Sequence, residues 1–157
     1  MELCCATLQP LQIVLPEEMR TQTAFDSPIR VLLVEDNPES AEMVHFLLSD
    51  DGGRFCVEWS RTIRHAMMRL SEPEVDVVLL DLGLPELTGY RSFRAIQMAS
   101  ENTLPIVIFT ADDSIQSKEL TLGFGASDYL LKQYCSSAQL KKALRTAVVD
   151  GRPPFTG

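Results

Sequence analysis

No run of apolar residues in this chain approaches the roughly 18 that a membrane helix needs, and the N-terminus lacks a basic start followed by an unbroken apolar stretch. A membrane partner and a secretory route are therefore not expected, and the expected location is cytoplasmic. Basic residues are the minority, 14 Lys and Arg against 22 Asp and Glu, so the surface as a whole repels phosphate backbones. No direct contact with nucleic acid is expected. Cysteine is scarce and poorly arranged for ligation: Cys4 and Cys5 are adjacent, Cys56 and Cys135 stand apart, no CxxC spacing occurs, and His45 and His65 each sit alone. That pattern argues against zinc and against a disulfide framework, and leaves reduced thiols, with Cys56 and Cys135 in or beside core elements.

What is present is enough for one packed domain. The 157 residues are 45% hydrophobic and 23% charged, a globular composition. Residues 1–28 mix Gln, Thr, Pro and scattered apolar residues without a period of two or 3.6, and are expected to form a disordered arm.

The texture changes at Ile29. Residues 29–34 form a short β-branched apolar run, as expected of a strand buried on both faces. Asn37 can then cap a helix that opens on Pro38, with Glu39 and Glu42 near its positive end, Met43, Phe46 and Leu47 on one face, and Gly52 and Gly53 closing it. The alternation repeats, with strands predicted near residues 55–59, 75–80, 106–109 and 128–131 and helical patterns between them. Ser136 followed by Gln139 has the spacing of a capping box for a last helix running to about Val149. The domain is placed at 29–149, and residues 150–157 are read as a linker or tail.

Five strands alternating with five helices on short connections require parallel pairing, right-handed crossovers and helices on both sheet faces. The fold class is thus a doubly wound α/β sandwich. Ligands of such sheets bind beyond the carboxyl ends of the strands, where strand order reverses.

The predicted strand ends carry chemistry. Glu35 and Asp36 follow the first strand, Asp81 the third, Thr110 the fourth and Lys132 the fifth. Three carboxylates converging in one crevice repel one another, so the site should raise a carboxyl pKa or hold a cation. Hard oxygen ligands favour Mg²⁺, with Mn²⁺ as the alternative. A carboxylate beside such an ion is a competent nucleophile toward phosphorus. Asp81 has the position for that role, Thr110 can donate a hydroxyl hydrogen bond to a phosphoryl oxygen, and Lys132 can set an ammonium against another.

From Ile29 to Val149 the sequence resembles the receiver domains of response regulators. Leu32-Leu33-Val34-Glu35-Asp36-Asn37 looks like that family's first strand and acidic pair, and Asp81-Leu82-Gly83-Leu84-Pro85 with Gly89 like its phosphoacceptor loop. Phe109-Thr110-Ala111 and Gly125-Ala126-Ser127-Asp128-Tyr129-Leu130-Leu131-Lys132 complete the set. The resemblance implies a flavodoxin-like strand order 2-1-3-4-5 and a signalling protein that is no enzyme beyond its own phosphoryl transfer and dephosphorylation. It implies that Asp81 takes its phosphoryl group from a phosphohistidine on a histidine kinase or histidine phosphotransfer protein. Mg²⁺ would be held by Asp36, Asp81 and the Gly83 carbonyl, with Glu35 acting through water or directly.

The same resemblance makes Tyr129 the aromatic switch that turns inward when Thr110 moves toward the phosphoryl group. It also makes the face of helix four, strand five and helix five a signalling surface. There Asp128 with Lys141, Lys142 and Arg145 could pair two copies as a homodimer. One position departs from the pattern: Gln133 stands where the family usually has a proline, and the peptide before it is expected to be trans, because a cis bond before glutamine costs about 2.5–4 kcal/mol.

Rival readings are weaker. A haloacid dehalogenase-type phosphatase wants a second acid two residues after the nucleophile, where this chain has Gly83. A flavodoxin-like flavin binder needs a phosphate loop after strand one, which Glu35 and Asp36 would repel. The runner-up is a pseudo-receiver, a protein-binding module that works unphosphorylated.

Overall fold

The computed structural model describes residues 27–49 and 52–151. The arm expected at residues 1–28 and the tail expected at 150–157 lie almost wholly outside the described residues. Strands β1 (Ile29–Val34), β2 (Phe55–Ser60), β3 (Val77–Leu80), β4 (Ile106–Thr110) and β5 (Asp128–Leu131) alternate with helices α1 (Pro38–Leu47), α2 (Ile63–Leu70), α3 (Tyr90–Ala99), α4 (Ile115–Gly123) and α5 (Ser137–Asp150). The strands pair in parallel in the order β2-β1-β3-β4-β5, the doubly wound sheet that the alternation predicts. No described helix is long and apolar enough to cross a membrane.

Helix starts follow from local chemistry. Asn37 accepts a hydrogen bond from Glu39 N at 2.8 Å ahead of Pro38, whose missing N–H costs nothing in the first turn. Thr62 caps α2 by accepting from His65 N, Ser114 caps α4 by accepting from Ser117 N, and Ser136 with Gln139 forms a complete capping box on α5.

Alternation along the strands divides the core in two. Leu32, Val34, Val78, Leu80, Ile106 and Ile108 face Phe93 and Ile96 of α3 and Ile63 and Ala66 of α2. Val31, Leu33, Val77, Leu79, Val107 and Phe109 face Ala41 and Val44 of α1 and Leu140 and Leu144 of α5. Each fully buried Leu, Ile, Val or Phe contributes about 1.5–3 kcal/mol, so the central strands anchor the sheet. The helix α4 is held differently: its buried residue is Thr121, while Ile115 stands 73% exposed. An element with so little buried apolar surface is suited to shift.

Four local expectations are corrected. The inward stripe of α1 is Ala41 and Val44, continued by Leu48; Met43 and Leu47 are partly buried, and Phe46 is 75% exposed. Spacings of three and four residues from Ala41 define the stripe, and its small side chains let the helix approach the sheet. Gly52 and Gly53 do not end α1, which ends at Leu47 with Leu48 as its cap; they take positive φ, 59° and 78°, in the turn before β2. The third strand starts two residues late, at Val77: Asp76 N still donates to the Arg30 carbonyl at 2.9 Å, while Arg30 N donates to the Asp76 carboxylate at 2.8 Å, so a side chain supplies half of that first rung. Cys56 points out of edge strand β2 and is exposed, and both Cys56 and Cys135 are free thiols.

Candidate functional site

The carboxyl ends of β1, β3, β4 and β5 open on one cleft of ≈ 600 Å³, lined by Glu35, Asp36, Asp81, Gly83, Thr110 and Lys132 among others. All the strand-end residues singled out in the sequence are therefore brought together. Tyr129 lies outside the lining, on β5 behind the β4–α4 loop.

Glu35 is 1% exposed, and both of its carboxylate oxygens have partners. Asn37 N donates to Oε1 at 3.1 Å, and Lys132 Nζ makes a close hydrogen bond to Oε2. The indole N–H of Trp59 holds the Glu35 carbonyl at 2.7 Å. Burial pushes the Glu35 carboxyl above its ordinary value; the Lys132 and Asn37 hydrogen bonds oppose that, and nearby Asp81 adds to it. The direction is set by desolvation because the side chain is enclosed.

Asp81 sits at the end of the buried strand β3. Gly83 N donates to Asp81 Oδ1 at 3.1 Å, and Lys132 Nζ stands 3.2 Å from Oδ2. Lys132 thus bridges two carboxylates, and Ser40 Oγ, in the first turn of α1, lies 3.4 Å from the same ammonium. Ligand atoms of Glu35, Asp36 and Asp81 all lie within 4.8 Å of one another. A set of hard oxygens with one ammonium among three acids suits a divalent cation such as Mg²⁺.

Thr110 is buried, and its Oγ1 accepts from Asp112 N at 3.3 Å, which leaves the hydroxyl hydrogen available to an acceptor in the cleft. Asp112 turns its carboxylate away, accepting from Ser117 Oγ at 2.7 Å and Ser114 N at 2.9 Å; the Ser117 bond leads in holding this carboxyl below its usual value. Tyr129, expected to turn inward as Thr110 moves, already lies inward, 7% exposed, donating its hydroxyl to the Asp112 carbonyl at 2.6 Å. Burial, with the charges of Asp112, Asp113 and Asp81 behind it, pushes its phenol up to about 12. All described peptide bonds are trans, Lys132–Gln133 included, and Lys132 still reaches Asp81.

Sequence reasoning missed Ser40, Trp59 and the side chain of Gln133, whose amide donates to the Ala111 carbonyl at 3.3 Å. Trp59 left a signal, since a lone tryptophan at a strand end must find an acceptor for its N–H; Ser40 and Gln133 left none.

The sequence model of the response regulator receiver domain matches residues 31–145. The chain belongs to that family. Among curated relatives it is 32% identical over 148 residues to the transcriptional regulatory protein TrcR of Mycobacterium tuberculosis, covering 92% of this chain and 56% of that one. It is 37% identical over 106 residues to the swarming motility regulation protein RssB of Serratia marcescens, covering 68% and 47%. The receiver therefore spans about half the length of the curated relatives it matches. Among solved structures, Vibrio cholerae chemotaxis protein CheY4 is similar with a TM-score of 0.66 at 27% identity, covering 77% of this chain and 99% of that one. A receiver domain protein from Methanospirillum hungatei, at 18% identity and TM-score 0.67, covering 80% and 97%, shares the fold.

Proposed function

We propose that this receiver accepts a phosphoryl group on Asp81 from a phosphohistidine of a histidine kinase or a histidine phosphotransfer protein, and passes the signal on through a changed protein-interaction surface. The observation that carries this reading is Lys132 lying 3.2 Å from Asp81 Oδ2 beside two further carboxylates. An isolated acidic cluster would serve a cation alone; an ammonium set on one of its acids supplies a counter-charge for an incoming dianionic group.

In this reading a carboxylate oxygen of Asp81 attacks phosphorus in line, the P–N bond of the donor breaks, and its electron pair returns to the imidazole nitrogen. Mg²⁺ or Mn²⁺, held by Asp36, Asp81 and the Gly83 carbonyl with Glu35 direct or through water, would neutralise charge on the phosphoryl oxygens. Lys132 balances one of those oxygens, and Glu35 keeps that ammonium aimed. Thr110 donates its hydroxyl hydrogen to another. Loss of the group is the reverse in kind: water attacks phosphorus, the acyl phosphate P–O bond breaks, and inorganic phosphate leaves.

Switching follows from the β4–α4 connection. Movement of Thr110 shifts Asp112, whose carbonyl the Tyr129 hydroxyl holds, and so reaches the lightly anchored α4. The face of α4, β5 and α5, where Ile115 and Tyr134 are exposed, is the proposed contact surface for a partner or a second copy. Incubation with Mg²⁺ and acetyl phosphate should add the mass of one phosphoryl group, and Asp81→Asn should abolish it. The absence of any gain under these conditions would favour the unphosphorylated binding module.

A further inference from the structure

Three consecutive carbonyls at the exit of β4 are each held from β5 or the loop after it. Thr110 O accepts from Lys132 N at 3.0 Å, Ala111 O from Gln133 Nε2 at 3.3 Å, and Asp112 O from the Tyr129 hydroxyl at 2.6 Å. The first bond prolongs the sheet ladder and is open to any residue with an N–H. The third belongs to the aromatic switch already proposed. The second depends on a side chain at the one position where this sequence leaves the receiver pattern.

What that side chain grips matters. The Ala111 carbonyl and the Asp112 N–H are two ends of one peptide unit, and a peptide unit is planar. Its far end donates to Thr110 Oγ1 at 3.3 Å. A continuous path thus runs from the Gln133 amide through a rigid plane to the Thr110 hydroxyl, and the bonds along such a path polarise one another. We infer that Gln133 is a positioning residue for phosphoryl transfer: it fixes the peptide that orients the Thr110 hydroxyl toward the cleft, linking the β5–α5 loop to the β4–α4 loop. This inference rests on the phosphoacceptor reading of Asp81. Proline at 133 would offer no donor and break the path; Gln133 supplies it from an exposed position, where substitution does not disturb the core.

The full chain carrying Gln133→Ala, Gln133→Glu or Gln133→Lys tests it. Glutamate keeps the reach and loses the donor, whereas lysine keeps a donor. Two quantities are read: the amide exchange rate of Asp112 by NMR without phosphodonor, and the rate of phosphoryl uptake from acetyl phosphate at saturating Mg²⁺. We expect Ala and Glu to speed Asp112 exchange and slow uptake roughly two- to tenfold, the range that loss of one hydrogen bond allows, with Lys closer to wild type than Ala and Mg²⁺ affinity unchanged in all three. Unchanged Asp112 exchange in both Ala and Glu, or Lys slowed as much as Ala, overturns the inference. Should the wild type itself take no phosphoryl group, the phosphoacceptor reading falls alone, and Asp112 exchange still decides whether Gln133 holds Thr110.

Discussion

Lys132, at the exit of β5, hydrogen-bonds the buried carboxylate of Glu35, at the exit of β1, across the two strands between them. Neither residue is near the other in sequence, and each satisfies what burial demands of the other. Removing Lys132 should leave an enclosed charge without its counter-ion, which in comparable pairs costs about 3–5 kcal/mol. We expect Lys132→Ala to fall at or below the lower end, since its cleft is open to water, and Glu35→Gln in the same chain to recover most of the loss. The pH sets when the loss appears. Burial raises the Glu35 carboxyl above 4.5, so what this group contributes to stability is fully present below 4.5 and is lost as pH rises through the raised value. Urea unfolding of Lys132→Ala should therefore show little penalty at low pH and a growing one toward neutrality; a pH-independent penalty contradicts the assignment.

Divalent metal should be detectable through the chain's single tryptophan. Trp59 holds the Glu35 carbonyl at 2.7 Å, and the Arg61 guanidinium lies 5.2 Å from its ring centroid. Mg²⁺ drawn to Glu35, Asp36 and Asp81 should change its fluorescence, and Asp36→Ala should weaken Mg²⁺ at least tenfold by removing a ligand and part of the site's charge. The same substitution should raise the melting temperature in metal-free buffer, because it relieves repulsion among carboxylates within 4.8 Å of one another. Equal Mg²⁺ titrations for the two chains would remove the proposed ion site.

The sheet and the site were largely legible because both follow local rules. Buried parallel strands read as apolar runs, and the residue just past each run falls at the cleft whatever else the chain does. Asp81 and Thr110 reach the cleft in that way. Phase on a short helix is less secure: the sequence reading puts Met43, Phe46 and Leu47 on one face, whereas packing against Val31 and Leu33 turns Ala41, Val44 and Leu48 inward. Side-chain bridges between distant loops leave no mark in the sequence, and the grip of Gln133 on Ala111 and of Tyr129 on Asp112 is visible only in the fold. Of the charges expected to pair two copies, Asp128, Lys141, Lys142 and Arg145, Lys142 is exposed and two of the others are placed differently. Lys141 is largely buried, and the Arg145 guanidinium lies 5.4 Å from the ring centroid of Phe55, toward β2 and away from β5.

Tyr129 should titrate late. Burial lifts its phenol from 10.0 to about 12, so its contribution to stability is complete below pH 10 and is lost as pH rises toward 12. Spectrophotometric titration should show a phenol ionising near pH 12, and Tyr129→Phe should remove that step. The variant should also lose less stability than wild type between pH 10 and 12. A late step that survives in Tyr129→Phe assigns the buried phenol elsewhere.

With Lys141 buried and Arg145 over the Phe55 ring, association of two copies should depend chiefly on apolar surface. Ile115 and Tyr134, 73% and 77% exposed, line a groove with Leu130 and Cys135 on the α4, β5 and α5 face. Contiguous exposed apolar surface of this kind marks contact sites. Light scattering should show a monomer in resting protein and a dimer with beryllofluoride and Mg²⁺, and Tyr134→Asp should hold it monomeric without altering beryllofluoride binding. A monomer in both states of the wild type retires the dimer.

Gly83 should set how long the phosphoryl group stays. A Cβ built there would lie 3.5 Å from Asp81 Oδ2 and 3.6 Å from Oδ1, ordinary contact distances that need no rearrangement of the loop. A side chain at 83 would therefore begin against the acceptor carboxylate and extend over the phosphoryl group, where the water that hydrolyses it must approach. Glycine leaves that path open, and Asp112, two residues past Thr110, does not close it because Ser114 and Ser117 hold its carboxylate. In-line attack tolerates little misplacement, so excluding one water orientation acts on the hydrolysis rate more than on stability. We expect Gly83→Met and Gly83→Leu to lengthen the lifetime of the phosphorylated chain severalfold, while Gly83→Ala, whose methyl stops at the carboxylate, changes it least. Formation of the phosphorylated species should persist in all three, since Asp81, Thr110 and Lys132 are untouched. Decay of the phosphorylated mass by intact-protein mass spectrometry after donor removal measures this directly, and a lifetime independent of side-chain size at 83 rules out the gate.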